Sequence, residues 1–342
     1  MTILNRRIVL AARPDGEPKP TDFRLEHVPL PEAGPDEALL EVLWLSIDPY
    51  MRGRMSEARS YAPHVKLGEV MVGGAVCRVL ASRSDYVAVG DFVLGHAGWQ
   101  EYAVLPVARL RKIDPTNAPI QTALGVLGMP GMTAYVGLRN IGRPKAGETL
   151  VVGAASGAVG SMVGQLAKLS GCRVVGIAGG PEKCAYVRNE LAFDDVLDHR
   201  QPQLAQRLAE ACPDGVDVYF ENVGGAIWDA VFPLLNDFAR IPVCGLIANY
   251  NSLEPPPGPD RTPELFRAIL VKHLALRGFI VWDYGEQEAE FLDEVGKLFG
   301  QGRIKYREDV VDGLEQAPQA LMDVLRGRNF GKQLVRVAFG EH

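Results

Sequence analysis

The first part of the chain consists of short apolar runs that are separated by turn residues. The runs that predict strands cover residues 7–10, 38–45, 73–80, 92–94 and 101–106, and prolines and glycines lie between them. This spacing is typical of a compact, barrel-like β domain. We therefore expect a β-rich domain over residues 1–125.

The pattern changes near residue 126, where strand-like and helix-like segments begin to alternate. Residues 123–138 have helical spacing, and predicted strands follow at 149–153, 173–178, 195–198, 216–221, 239–246 and 276–281. Helical segments lie between the strands at 158–170, 182–191, 203–212, 226–235 and 262–272. Such alternation predicts an α/β fold with a doubly wound, six-stranded parallel sheet of the Rossmann type over residues 126–300. A proline-rich loop at 249–261 is expected to border a site.

The end of the chain combines both patterns. Helical spacing covers residues 286–299 and 314–326, and a strand-like run follows at 333–338. We expect this strand to return to the N-terminal β domain, so that residues 301–342 and 1–125 form one substrate-binding, catalytic domain.

A cluster of small residues joins the strand predicted at 149–153 to the helix after it. Gly157 and Gly160 match the second and third glycines of the G-x-G-x-x-G pattern, whereas Ala155 occupies the first position. Such a turn lets backbone N–H groups approach a pyrophosphate at a helix N-terminus. A small-residue turn between packed elements is the structural alternative, and the turn alone does not decide between the two.

The strand predicted at 173–178 is followed by Gly179, Gly180 and, after a proline and a glutamate, Lys183. NAD sites usually have an acidic residue at this strand end, where it binds the ribose 2′-hydroxyl. Two glycines and a lysine favour a 2′-phosphate instead. The sequence therefore predicts NADPH as the cofactor.

Composition excludes several other classes of protein. The chain has 36 basic and 42 acidic residues, a formal net charge of −6, and no run of lysine or arginine that would indicate nucleic-acid binding. No apolar stretch reaches the roughly 18 residues of a membrane span. The N-terminus lacks signal-peptide features, and five widely spaced cysteines are typical of free thiols in a reducing compartment. We predict a cytoplasmic protein that binds neither nucleic acid nor membrane.

Seven segments together resemble the zinc-independent branch of the medium-chain dehydrogenase/reductase superfamily. This branch contains the leukotriene/prostaglandin reductases, the plant alkenal double-bond reductases and the bacterial curcumin reductases. The segments are residues 47–52, 128–135, 155–161, 219–225, 244–251, 278–281 and 329–332. The resemblance covers essentially the whole chain. It implies a GroES-like barrel beside a Rossmann domain, and NADPH-dependent reduction of a carbon–carbon double bond conjugated to a carbonyl.

The resemblance also implies which residues bind the cofactor. Those expected at the pyrophosphate and the 2′-phosphate are Ala158, Val159, Gly160, Ser161, Gly179, Gly180, Lys183 and His199. Those expected along the rest of the cofactor are Pro49, Met129, Thr133, Asn222, Cys244, Gly245, Leu246, Ile247, Tyr250, Phe279, Ile280, Val281, Asn329 and Gly331.

One position departs from the pattern of the relatives. Many of them carry a tyrosine near the 2′-phosphate, where this chain has Asp198, His199 and Arg200. A histidine can donate to phosphate, and the arginine adds positive charge. Alternatively, both are ordinary surface residues after a strand end.

The predicted reaction is hydride transfer to the β-carbon of an enone or enal. Tyr250 is our candidate donor to the carbonyl oxygen, because it follows a strand end and its phenol stays protonated at neutral pH. Tyr50 and Tyr61 are candidates for the substrate cleft. Arg52 either binds a substrate carboxylate or pairs with a nearby acid.

We predict no catalytic metal. Zinc needs about four nitrogen or sulfur ligands, and neither the cysteines nor the six histidines show ligand-like spacing. This disfavours a simple alcohol dehydrogenase. A quinone oxidoreductase and a non-catalytic NADPH-binding sensor remain as alternatives. The relatives are often homodimers joined edge to edge through their sheets, and we expect a homodimer here.

Overall fold

The computed structural model describes residues 4–252 and 258–338. Part of the proline-rich loop, residues 253–257, lies outside the described residues. The strands are β1 (Leu4–Leu10), β2 (Phe23–Pro29), β3 (Glu37–Ser46), β4 (Ala75–Ser82), β5 (Phe92–Gly95), β6 (Tyr102–Pro106), β7 (Arg111–Ile113), β8 (Thr149–Gly153), β9 (Arg173–Ala178), β10 (Asp195–Asp198), β11 (Val216–Phe220), β12 (Leu235–Val243), β13 (Ala275–Gly278), β14 (Glu308–Asp312) and β15 (Lys332–Arg336).

The α-helices are α1 (Tyr50–Arg54), α2 (Met129–Gly137), α3 (Ala158–Leu169), α4 (Pro181–Asn189), α5 (Leu204–Ala211), α6 (Gly225–Val231), α7 (Thr262–Lys272), α8 (Glu288–Gly300) and α9 (Ala317–Leu325). Short 3-10 segments add further turns, among them Ile120–Leu124, Phe232–Leu234, Ile247–Asn249 and Val281–Gln287. The chain forms two compact units. Of the described residues, unit 1 contains 4–125, 250–252 and 308–338, and unit 2 contains 126–249 and 258–307.

Unit 1 is built on a mixed sheet. Its strand order is β14-β15-β3-β4-β5-β7, β6 pairs with β3, and β1 and β2 form a separate ribbon. Strand β15 runs antiparallel to β3, with Leu334 opposite Ser46. The expected return of the last strand to the N-terminal β domain is therefore confirmed. The core consists of inward-facing residues of β3 and β4, with Trp99 buried among them.

Unit 2 is a Rossmann fold. Its six parallel strands have the order β10-β9-β8-β11-β12-β13, so the predicted fold class is confirmed. The order reverses between β8 and β11, where doubly wound sheets bind their ligands. Strands β8 and β11 are almost entirely buried, since helices cover both faces of a parallel sheet.

Two predicted strands were placed too far along the chain. The strand predicted at 239–246 is β12, which ends at Val243, because the next two amides leave the sheet to bond the Glu221 carbonyl. The strand predicted at 276–281 is β13, which ends at Gly278, because a 3-10 turn begins at Val281. The helix predicted at 123–138 is divided into a 3-10 turn and α2, with proline in the first turn of α2.

Three strands of unit 1 were not predicted. Strand β2 has alternating charged and apolar residues and leaves only Phe23 buried, so it has no apolar run. Strands β7 and β14 are short and partly exposed. Within the described residues, no helix has both the length and the apolar character of a membrane span.

Helix α3 packs on the sheet through small residues. A Cβ atom at Gly164 would lie 1.7 Å from the ring of Phe193. The helix therefore depends on glycine at this position, despite the low helix propensity of that residue.

We expect Gly164→Ala to destabilise the protein by about 1–3 kcal/mol, because the added methyl overpacks a closed interface. The measurement is the midpoint of thermal unfolding. Gly296→Ala in α8 is the matched control, since no atom lies within 4 Å of its added Cβ. This control should gain up to about 1 kcal/mol from helix propensity. Equal midpoints for the two variants would contradict the packing argument.

Candidate active site

The turn after β8 has the geometry of an anion site. Ala154 has a left-handed backbone with φ of 51°, and α3 starts with Gly157 as an N-cap that provides no side-chain cap. A Cβ atom at Gly160 would lie 2.3 Å from the Ala154 carbonyl oxygen, so only glycine allows the helix to approach the strand this closely. The amides of residues 158–160, in the first turn of α3, therefore lie at the carboxyl end of β8, where the helix dipole favours negative charge, whereas the Ser161 amide donates to the Gly157 carbonyl at 3.0 Å.

The end of β9 is surrounded by positive charge. A Cβ atom at Gly179 would lie 2.8 Å from Nε2 of His199 and 3.2 Å from Nε of Arg200. Lys183, in the first turn of α4, is close enough to His199 to affect its titration. Gly180 has φ of 97°, and its amide donates to Asp198 at 2.9 Å. The turn therefore places three basic groups around two residues that lack side chains.

The surroundings of His199 favour its neutral form when no ligand is bound. Partial burial, and then the positive charges of Arg200 and Lys183, lower the pKa of His199, whereas Asp198 acts in the opposite direction. The pKa of Asp198 is itself lowered, because bonds from the Gly180 and Arg200 amides outweigh the effect of burial. A phosphate bound here would add negative charge and favour protonated His199.

Glu221 organises the loops at the carboxyl end of the sheet. Its buried Oε1 accepts hydrogen bonds from the Tyr219 hydroxyl at 2.9 Å, the Val223 amide at 2.7 Å and the Gly224 amide at 2.8 Å. Its backbone carbonyl accepts the amides of Cys244 at 2.9 Å and Gly245 at 3.1 Å. One residue therefore fixes both the loop after β11 and the turn after β12.

Asn222 continues this network toward the glycine turn. Its Nδ2 donates to the Gly153 carbonyl at 3.2 Å, and its own carbonyl accepts the Ile247 amide at 3.3 Å. The next residue, Val223, accepts the Ala248 amide at 3.0 Å. The loops after β8, β11 and β12 are thus joined by hydrogen bonds at the point where the strand order reverses.

Burial determines the ionisation of these groups. It raises the pKa of the Glu221 carboxyl, although the three hydrogen bonds act in the opposite direction. It also raises the pKa of Cys244 to about 12, with a further contribution from the charge of Glu221. Cys244 is therefore a thiol at neutral pH, and it lacks the thiolate character of a reactive cysteine.

The third group of predicted cofactor residues in unit 2 lies beside aromatic rings. Phe279 packs edge-to-face on Phe220, with ring centroids 6.2 Å apart, and a Cβ at Gly137 would lie 2.7 Å from either ring. Val281 is buried and Ile280 is half-buried. In α2, the Thr133 hydroxyl donates to the Met129 carbonyl at 2.7 Å, and the Thr133 side chain is buried.

In unit 1, a buried ion pair joins two segments that the sequence analysis singled out. Nζ of Lys332 lies 2.9 Å from Asp48 and also donates to the Ile47 carbonyl at 2.8 Å. The Ser46 hydroxyl bonds the other Asp48 oxygen. Lys332 directly follows Gly331, whose carbonyl accepts the Asn329 side chain at 2.9 Å. The ion pair thus fixes the end of β3 to the start of β15.

The candidate substrate tyrosines follow this ion pair. Pro49 is the N-cap of α1, and Tyr50 is its first residue. Burial raises the pKa of Tyr50, as do the charges of Asp48 and Tyr61, so its phenol stays neutral. The side chain of Tyr61 is 53% exposed. Tyr250, which follows the 3-10 turn Ile247–Asn249, is half-buried and belongs to unit 1.

Arg52 is buried, and its guanidinium contacts other parts of unit 1. It donates to the Gly16 carbonyl at 2.7 Å and to Oδ1 of Asn251 at 3.2 Å. Sequence reasoning did not assign a role to Glu221, Asp48 or Lys332. A charged residue at the end of an apolar strand, as at Glu221, was the available signal.

Neither of the described ranges contains a group of three or more His, Cys, Asp or Glu side chains that is arranged to hold a metal ion. All five cysteines are free thiols.

Two families of proteins match the chain. Residues 6–113 match a family described as the N-terminal domain of oxidoreductase, and residues 158–297 match a family described as zinc-binding dehydrogenase. The two matches correspond to the two kinds of fold that the structure shows.

Individual relatives match over nearly the whole length. The chain is 53% identical to an NADPH-dependent curcumin reductase of Escherichia coli, over 98% of this chain and 97% of that protein. It is 40% identical to a 2-alkenal reductase (NADP(+)-dependent) of Nicotiana tabacum, over 98% of both. The crystal structure of CurA in complex with NADPH, from Vibrio vulnificus, has a TM-score of 0.95 at 50% identity, covering 98% of this chain and 100% of that one.

We expect Glu221→Gln to change how stability depends on pH. Because the folded pKa of Glu221 is raised, its contribution to stability is present at low pH and is lost as pH rises through that pKa. Glutamine keeps Oε1 and does not ionise, so the variant should gain stability relative to the wild type as pH rises from acidic to neutral. The gain is at most about 1.4 kcal/mol for each pH unit by which folding raises the pKa, and denaturant unfolding measures it.

Glu148→Gln is the matched control of opposite sign. Although burial raises the pKa of Glu148, bonds from Arg240 and the Lys145 amide outweigh it and leave that pKa lowered. This variant should therefore lose stability relative to the wild type as pH rises. If the difference in the free energy of unfolding between Glu221→Gln and the wild type were the same at every pH, the pKa of Glu221 would not be raised by folding.

Proposed function

This chain belongs to the medium-chain dehydrogenase/reductase superfamily, in the branch of the curcumin and alkenal reductases, and we propose on this premise that it reduces carbon–carbon double bonds conjugated to a carbonyl, with NADPH as reductant. The observation that carries the proposal is the basic cluster at the end of β9. Lys183, His199 and Arg200 surround two glycines where an NAD site has an acid. The cluster supports a cofactor with a 2′-phosphate.

The residues of unit 2 are suited to such a cofactor. The uncapped start of α3 and the close approach at Gly160 provide amides for a pyrophosphate. Asn222 and the turn 244–247 are held by the Glu221 network, so they form a preorganised surface. Phe279, which is buried beside Phe220, is proposed to form an apolar wall of the cofactor site. NADPH, when bound, supplies the hydride.

The protein's own chemistry is the stabilisation of charge on the substrate. Hydride addition at the β-carbon leaves negative charge on the carbonyl oxygen, as an enolate. Tyr250 is the proposed donor to this oxygen, and the α-carbon is protonated afterwards. Tyr50, kept neutral by burial and by Asp48, is proposed to line the substrate cleft together with Tyr61. Because the pKa of Tyr50 is raised, its phenol can donate a hydrogen bond but is poorly suited to release a proton.

The proposed reaction predicts rapid oxidation of NADPH by purified protein in the presence of a simple enone. The measurement is the loss of NADPH absorbance, with identification of the saturated ketone. A quinone and a saturated aldehyde serve as parallel controls. Turnover of the quinone alone would instead support a quinone oxidoreductase, and NADPH binding without turnover would support a sensor.

The cofactor assignment predicts the effect of Lys183→Ala. Loss of a charge-assisted bond should cost about 1.5–3 kcal/mol, so KM for NADPH should rise about 10- to 100-fold while KM for NADH stays unchanged. His199→Tyr, which introduces the residue that many relatives carry, is the control and should retain the preference for NADPH. An equal loss with both cofactors in Lys183→Ala would contradict the assignment.

We also propose that the protein is a cytoplasmic homodimer. Five reduced cysteines support a reducing compartment. Helix α7 packs on the core of unit 2 through the partly buried Ala268 and Ile269, whereas Phe266, Leu270 and Val271 are 65%, 76% and 62% exposed. Strand β13, which directly follows α7 in the chain, is one of the two edge strands of the six-stranded sheet. An apolar helix face beside an unpaired edge is an aggregation hazard unless a partner covers it.

If the protein dimerises through the exposed apolar face of α7, Leu270→Lys should shift the molecular mass in solution from that of a dimer toward that of a monomer. The mass is measured by light scattering at micromolar concentration. Val89→Lys, which changes an apolar residue of unit 1 that is 68% exposed, should leave the dimer intact. A monomeric wild type would rule out the proposed assembly.

A further inference from the structure

Arg52 is a buried charged side chain to which the proposed reaction gives no role. Only 3% of its surface is exposed, and an arginine is rarely buried to this degree without a specific set of acceptors. Its acceptors are the Gly16 carbonyl and the side chain of Asn251. Burying a guanidinium costs free energy unless it is hydrogen-bonded. Here its two hydrogen bonds join two segments that are distant in the sequence.

The second of these segments directly follows the proposed donor. The 3-10 turn ends at Asn249, which belongs to unit 2, whereas Tyr250 and Asn251 belong to unit 1. Neither of these two residues lies in a strand or helix, so no regular hydrogen-bond ladder fixes them. The bond from Arg52 Nε to Asn251 Oδ1, at 3.2 Å, spans 199 positions of the sequence.

The surroundings of Arg52 support this tether. Gly16 has φ of 74°, a conformation that favours glycine, and a Cβ there would lie 3.9 Å from the Asn251 carbonyl oxygen. The loop of Gly16 is thus in van der Waals reach of the same segment. Asp22 is the nearby acid, and its charge favours the guanidinium, although burial lowers the pKa of Arg52. The arginine is always charged at physiological pH.

We propose that Arg52 is a positioning residue that fixes Tyr250 through Asn251, and that it does not bind substrate. The inference rests on the proposed role of Tyr250. The Nε and Nη2 atoms of Arg52 donate to groups inside unit 1, and only 3% of the residue's surface is exposed, so little of the guanidinium is accessible to a ligand. Its bond instead fixes the backbone next to the phenol, and small displacements of such a group reduce turnover by large factors.

The test combines variants of the tether with Tyr250→Phe. Arg52→Met and Asn251→Leu should each lower kcat about 10- to 100-fold for a neutral enone, with little change in KM for NADPH. Asn251→Asp keeps the acceptor and should restore kcat to near the wild-type value. In the Tyr250→Phe background, Arg52→Met should lower kcat by less than about twofold, because two residues that act through one donor are not additive.

A second readout does not depend on turnover. Amide hydrogen exchange of the peptide covering residues 247–252, measured without cofactor, should be faster in Arg52→Met and Asn251→Leu than in the wild type and in Asn251→Asp. Arg240→Met, which removes a half-buried arginine bound to the Gly142 carbonyl in unit 2, is the matched control. It should leave exchange in this peptide unchanged.

The outcomes separate the inference from the function on which it rests. An equal loss of kcat in the Tyr250→Phe background, or a rise in KM confined to enones with a carboxylate, would overturn the positioning role. Unchanged exchange in 247–252 would do so as well. If Arg52→Met does not fold, Asn251→Leu and Asn251→Asp carry the same comparison. If the wild type reduces no enone, the proposed function fails, and hydrogen exchange alone decides whether Arg52 holds the segment.

Discussion

A single buried carboxyl group, that of Glu221, determines how the loops of the Rossmann unit are arranged. The side-chain oxygen Oε1 of Glu221 accepts three hydrogen bonds, and the backbone carbonyl of the same residue accepts the amides of two residues in the turn after β12. Asn222 extends the network to the end of β8. Burial disfavours the charged form of the Glu221 carboxyl, so the group lowers the stability of the protein at neutral pH. The same network of hydrogen bonds fixes the geometry of three loops. Hydrogen bonds within the protein therefore hold the loops of the proposed cofactor surface together without a ligand.

In unit 1, the buried ion pair of Asp48 and Lys332 likewise joins two separate segments of the chain. Removing Asp48 or Lys332 alone would leave an uncompensated charge in the interior, and such losses cost about 3–5 kcal/mol. The pair fixes the segment that carries Tyr50 to the segment that carries Asn329. Both units thus use buried polar groups at the places where candidate site residues are anchored, whereas the sheets themselves rest on apolar packing.

The fold could be predicted from the sequence where apolar runs are fully buried. Strands β8 and β9 lie at 149–153 and 173–178, as predicted, because strands inside a parallel sheet are covered on both faces and are rich in apolar residues. The edge strand β10 also lies at the predicted 195–198, although only Val196 and Leu197 are buried. Strand β2 was missed because its charged residues alternate with apolar ones in a ribbon that is largely exposed. The ends of β12 and β13 depend on tertiary bonds and turns that local patterns do not show.

The candidate site could be predicted in part. The glycine turn and the missing acid after β9 have sequence signatures, and the structure places His199 and Arg200 beside Gly179, next to the predicted Lys183. The partners of Lys332 and Arg52 could not be predicted, since both residues bond atoms distant in the sequence. The carboxyl of Glu221 bonds residues two and three positions away, but the bonds from its backbone carbonyl to Cys244 and Gly245 join separate strands and were equally hidden. Burial of a charge has no local pattern, so its structural meaning appears only in three dimensions.

In the proposed reaction, hydride from NADPH reaches the β-carbon of a conjugated carbonyl compound. The most direct measurement uses NADPH that carries deuterium at C4 of the nicotinamide, on either face in separate reactions, with an enone as acceptor. The location of the label is then read in the product by NMR. We expect one deuterium at the β-carbon of the saturated ketone from one of the two labelled cofactors. Deuterium on the former carbonyl carbon, in an allylic alcohol, would contradict it.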